Sequence, residues 1–105
     1  MHQHRGVINV KDKVLQQISF DPLFGCLYLQ FSGNKIRKSR EYTDFITIDF
    51  DDKGHLAGIE FVGVKRVLPR MNKIFIELAH VYNRPDLKKV PREIKEFKRK
   101  IAALT

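Results

Sequence analysis

Residues 45–63 read FITIDFDDKGHLAGIEFVG, two arms of alternating character around an acidic turn that contains glycine. In the first arm Ile46, Ile48 and Phe50 point one way, and Thr47, Asp49 and Asp51 the other. In the second arm Ala57, Ile59 and Phe61 oppose Gly58, Glu60 and Val62. Successive side chains of a strand leave opposite faces, so a period of two marks β-structure. Asp51-Asp52-Lys53-Gly54 joins the arms. Its aspartates suit Asx turns and its glycine can take a positive φ. The stretch predicts a β-hairpin at the centre of a small sheet.

Upstream the chain reads as further strands separated by turn residues. Val7 to Val10 is a short candidate, and Val14 to Phe20 suits a first full strand, broken by Asp21-Pro22. Leu23-Phe24-Gly25 turns the chain into Cys26 to Phe31, with Leu27, Leu29 and Phe31 on one face and Cys26, Tyr28 and Gln30 on the other. After Ser32-Gly33-Asn34, the charged run Ile36 to Tyr42 reads as an edge strand, since charge on an edge discourages further pairing. Short turns between neighbours favour an antiparallel meander of about five strands.

Downstream the period changes. Pro69 fits a first helical turn. Met71, Ile74, Phe75, Leu78, Ala79 and Tyr82 then recur at helical spacing, which predicts an amphipathic helix covering the sheet. Asn83-Arg84-Pro85 ends it. A second helix is expected from near Pro91, with a narrow apolar seam of Ile94, Phe97, Ile101 and Leu104. Extended backward, the seam would include Leu87 and Val90.

The chain has 105 residues, 43% of them hydrophobic, enough for one domain with its own core. The organisation expected is a single domain, 1–105, with a β-meander module over 14–66 and a two-helix segment over 67–105. The formal charge is +8. Residues 1–63 hold eight Lys/Arg and eight Asp/Glu, which cancel, and residues 64–105 hold twelve against four, which gives the whole +8. A neutral β half thus precedes a basic half, and the asymmetry points to an anionic partner for the latter. The single cysteine, Cys26, allows no internal disulfide and fits a reducing compartment. No apolar run approaches the length of a membrane span, and the first 13 residues carry no apolar signal-peptide region. The expectation is a cytoplasmic protein with no membrane partner.

Three groups of residues are candidates for function. Lys88, Lys89, Arg92, Lys95, Lys98, Arg99 and Lys100 crowd the last segment and could neutralise the phosphates of DNA or RNA. No helix-turn-helix, zinc or RNA-stacking pattern accompanies them, and a solvated helix face, partly compensated by Glu93 and Glu96, explains them without a ligand. The seam Ile94, Phe97, Ile101 and Leu104 could pack on the chain's own core, pair with a second copy or bind another protein. Tyr28, Asp49 and Glu60 share the polar face of the sheet with Gln30, and Glu41 joins them in one register. Two carboxylates near a tyrosine could act as acid and base, but only in an enclosed site.

Other patterns are weaker. Asp49, Asp51 and Asp52 do not match a calcium loop and suit a turn. His2 and His4 make no closed metal site. Cys26 would need His55 or His80 beside it to act as a nucleophile. Glycines 54, 58 and 63 are too scattered to cradle a nucleotide. No cofactor or metal is expected.

Four segments resemble a known pattern: Ser19-Phe20-Asp21, Cys26-Leu27-Tyr28-Leu29, Ile48-Asp49-Phe50-Asp51 and Gly54-His55-Leu56-Ala57-Gly58-Ile59-Glu60-Phe61. Over about residues 18–66 the chain resembles a prokaryotic family of short β-rich domains of unknown function. That family runs Asp-Ala-Leu-Tyr, then Val-Asp-x-Asp, then Gly-Ile-Glu. Gly25-Cys26 stands where the family has Asp-Ala. The resemblance implies a β-meander module and, by analogy with relatives encoded beside small toxin-like proteins, an antitoxin-like role. The reading is therefore an α+β fold: a meander on an amphipathic helix, plus a C-terminal basic helix. Its expected function is non-enzymatic binding of a protein partner or a copy of itself. Nucleic-acid binding through the basic helix and a small enzyme on the polar sheet face are the alternatives.

Overall fold

The computed structural model describes residues 6–9, with no side-chain detail there, and 14–95. Its strands are β1 (Gly6–Asn9), β2 (Gln17–Asp21), β3 (Cys26–Gln30), β4 (Ile36–Thr43), β5 (Ile46–Asp51) and β6 (Leu56–Val62). They form one antiparallel sheet in the order β1-β2-β3-β6-β5-β4. The α+β class stands as expected. The neighbour relations differ at one place, because β3 pairs with β6 and not with β4.

The reason lies in what each strand can bury. Ile59 and Phe61 of β6 have no exposure at all and sit opposite Leu29 and Leu27 of β3. β4 has no such apolar side to offer, and every residue of it but Tyr42 is exposed. The apolar strand therefore takes the centre and the charged one the rim. Residues 31–35 must then cross the ends of β6 and β5 to reach the far edge. Phe31 and Ser32 both donate backbone N–H groups to the Ala57 carbonyl, at 2.8 and 3.3 Å. The Asn34 side chain donates to Asp51 at 3.0 Å.

Asp51 also builds the central hairpin turn. Its Oδ1 accepts from the backbone N–H groups of Lys53 and His55, each at 2.9 Å, and Gly54 takes a φ of 80°. The carboxylate is buried and stays ionised because these donors, Asn34 foremost, hold its pKa below the ordinary carboxylate range. One buried acid thus fixes both the turn and the crossing loop.

The helical layer begins where β6 ends. α1 (Val64–Val67) leads through a 3₁₀ turn (Leu68–Arg70, with Pro69 in its first turn) into α2 (Met71–Val81). Met71, Phe75, Leu78 and Ala79 are buried against the sheet, and the Phe75 and Phe61 rings lie 6.0 Å apart. Asn83, at φ 53°, closes α2: the N–H of Arg84 reaches back to the Ala79 carbonyl at 2.8 Å, the bond of a Schellman cap. Arg84 then grips Asp86 through two nitrogens, at 2.9 and 2.7 Å.

The expected second helix is shorter among the described residues. Pro85–Lys89 form a 3₁₀ turn and α3 spans only Val90–Glu93. Leu87, Val90 and Ile94 are fully buried in the main core, so at these positions the seam packs inward. Ile94 is unavailable to a partner. Phe97, Ile101 and Leu104 lie outside the described residues. The first full strand also starts later than expected, at Gln17, because Val14 and Leu15 enter the core ahead of the ladder. The Glu93 carboxylate accepts from the Leu15 N–H at 3.1 Å and ties α3 to this entry.

Candidate functional site

Helices cover one face of the sheet, and the other carries two rows of polar side chains beside a third row, Asp21, Cys26 and Val62. Residues opposite each other in an antiparallel ladder share a face. The first row runs Glu41, Thr47, Glu60, Tyr28, Ser19, and the second Ser39, Asp49, Gly58, Gln30, Gln17. Tyr28, Asp49, Glu60 and Glu41 therefore stand on one surface, each from a different strand.

Gly58 lets the rows interact. The Tyr28 ring lies over it, where a Cβ would overlap the tyrosine hydroxyl and its ring carbon. Only glycine gives the ring this path. The Tyr28 hydroxyl then donates to Asp49 Oδ2 at 2.8 Å, and the Ser39 hydroxyl to Asp49 Oδ1 at 2.6 Å. Partial burial, and then the Asp49 carboxylate, hold the Tyr28 proton well above the ordinary phenol range. Near neutral pH this tyrosine is a fixed donor. Ser39 and Gly58 escaped the sequence reading. The register of β4 would have found the first, and a glycine at an outward position between the inward Ala57 and Ile59 hints at the second.

The face is acidic: its two rows hold Glu41, Asp49 and Glu60 and no lysine or arginine. The helical layer carries exposed cations, among them Lys65, Arg66, Arg70 and Lys73. Arg66 rests over the Phe45 ring, 4.4 Å from its centre.

Lys88 and Lys89 lie in the 3₁₀ turn, Arg92 on α3 and Lys95 beyond it, all exposed. They do not share one long helix, and Lys98, Arg99 and Lys100 lie outside the described residues. Cys26 is half-buried opposite Val62, at the end of β6 remote from His55, and His80 is exposed on α2. The structure brings neither histidine into hydrogen-bond contact with the thiol, whose Sγ lies 3.8 Å from the Phe24 carbonyl. Among the described residues no three His, Cys, Asp or Glu side chains gather as metal ligands. No described helix is long and apolar enough to cross a membrane.

Fold and surface define a two-layer α+β module with one open, polar sheet face. Residues 17–65, which run from β2 into the start of α1, match the sequence model of a family described as a protein of unknown function (DUF2283). The match takes in five of the six strands and stops where the helical layer begins. No curated protein and no solved structure matched the chain.

Proposed function

We propose that the chain is a non-enzymatic binding module whose open sheet face docks a protein partner with a cationic surface. The observation that carries this reading is the segregation of charge: the chain is +8 overall, yet among the described residues the two rows of this face hold three carboxylates and no cation. Complementary potential selects a partner and speeds encounter. Tyr28, tied to Asp49 and lying on a rigid strand, offers the preorganised aromatic anchor typical of interface centres. A held phenol proton suits recognition better than acid–base turnover.

The same layout disfavours self-association through this face. Two-fold pairing would set Glu41, Asp49 and Glu60 against their own copies. A different protein is the better occupant, and an antitoxin-like role is one instance of such binding.

The test starts from capture with the tagged full chain, followed by identification and purification of what binds. The triple variant Glu41→Gln/Asp49→Asn/Glu60→Gln should weaken the purified complex by about tenfold or more, with the association rate falling most. Lys88→Glu/Lys89→Glu should leave it intact. If the second variant abolishes the complex and the first does not, the docking face has been misassigned.

A further inference from the structure

A second surface lies on the helix side of β4, beyond the edge of the helical layer. Ile36 stands opposite Asp51 but Lys38 stands opposite Phe50, so Arg37 is an extra residue, a bulge. A bulge re-aims a side chain. Here Arg37 lines the same groove as Lys38 and Arg40, a hollow of about 400 Å³. Phe50 and Tyr82 form its apolar wall, with ring centres 5.8 Å apart, and Tyr42 continues the cluster 6.5 Å from Tyr82.

The three cations are exposed and make no ion pair among the described residues. Asp51 lines one end, but its oxygens are engaged by Asn34, Lys53 and His55. Exposed Asp52 is the remaining acid at the rim. The groove is thus a cationic strip beside half-buried aromatic rings.

We propose that this groove binds single-stranded nucleic acid, with Arg37, Lys38 and Arg40 on phosphates and the Phe50–Tyr82 wall against a base. Strand-binding proteins pair a basic track with aromatic faces in this way. Duplex DNA keeps its bases stacked and offers the rings nothing. An acidic peptide satisfies the cations and leaves the wall unused. Strand addition along β4 is further obstructed by the bulge at Arg37 and a second register shift between Glu41 and Thr43. This surface is separate from the acidic sheet face, so the two proposals stand or fall independently.

Fluorescence anisotropy of the full chain tests it, using labelled oligothymidylate and oligouridylate of about 12 nucleotides. A duplex of the same length and an oligoglutamate peptide are the comparison probes. Single strands should bind best. The slope of log affinity against log salt should be about −2, as three phosphate contacts require on single strands. Lys38→Glu/Arg40→Glu, both on exposed positions, should weaken binding at least about tenfold. Tyr82→Leu should weaken it about fivefold or more without changing the slope, its fold verified by melting. Absence of binding at ~50 mM salt, equal binding of duplex or peptide, or loss only with Lys88→Glu/Lys89→Glu/Arg92→Glu overturns the proposal.

Discussion

β4 and β6 flank the same strand, β5, and hydrogen-bond to it in the same antiparallel sense. Their environments are otherwise opposite. β6 is buried along nearly its whole length, beneath α2 on one face and under the Tyr28 ring on the other. β4 is exposed on both faces and breaks its own ladder with two register shifts. Pairing alone therefore dictates little about a strand's side chains. What covers the strand decides whether it reads Leu-Ala-Gly-Ile-Glu-Phe-Val or Ile-Arg-Lys-Ser-Arg-Glu-Tyr-Thr.

The contrast is most easily broken by truncation. Phe61→Ala in β6 should cost about 3–5 kcal/mol, from lost burial and the cavity left under Phe75. Lys38→Ala in β4 should stay within about 0.5 kcal/mol. Urea denaturation compares the two, and a cost above about 1 kcal/mol at Lys38 would show that β4 is covered in solution.

A smaller effect sharpens the comparison on the open face. Gly58→Ala should cost about 1–3 kcal/mol as the new methyl meets Tyr28. Because the far end of the ring can swing aside, the clearer readout is chemical. Tyr28 should leave Asp49, and its ionisation, followed by ultraviolet absorbance, should move back toward 10.0. Ser39→Ala, on β4, loses only the bond to Asp49, about 0.5–1.5 kcal/mol. Unchanged tyrosine titration in Gly58→Ala would refute the packing of Tyr28 over the glycine.

The smallest effects are in pH. The Asp51 carboxyl is held below its ordinary 3.8, so the stability it supplies is present above that value and lost as pH falls through the lowered one. Tyr42, at the end of β4, has its pKa pushed up to about 12 by desolvation and then by Glu77. Its contribution is complete below pH 10.0 and disappears as pH rises through about 12. Urea midpoints across the range should fall at both ends. Asp51→Asn should flatten the acid limb, and Tyr42→Phe should lessen the alkaline one, with Tyr28 keeping its own share. Identical curves for Asp51→Asn and the parent would assign the acid limb to other groups.

Much of this was legible in the sequence. The central hairpin, its Asp51–Gly54 turn, the charged edge strand and the stripe of α2 all follow from period and turn chemistry. The β3–β6 pairing did not, because Leu27, Leu29 and Phe31 alternate equally well beside any apolar strand. Proximity along the chain favoured β4. Only burial, which puts Ile59 and Phe61 under the helices, selects β6. On the open face the period placed Tyr28, Asp49 and Glu60 together, while Ser39 needed a register and the role of Gly58 needed the Tyr28 rotamer. The groove beside Phe50 depends on the bulge at Arg37, an offset of one residue that no period reveals. Ile94 was read as one residue of a seam open to several partners, and the core of this chain claims it.

The β3–β6 ladder has a further consequence. The sheet consists of two three-stranded hairpin runs, residues 6–30 and 36–62, each built from contacts close in the chain. One ladder, Cys26–Gln30 against Gly58–Val62, unites them. Local hairpins form quickly and distant ladders slowly, so docking of the two halves is the step expected to set the pace of folding. Each half carries the complementary edge of the other, and a second chain carries the same edges. The five residues from Phe31 to Lys35, pinned at Ala57 and Asp51, are then a hinge: held short, they return the chain to its own partner strand, and loosened, they open the route to exchanged dimers.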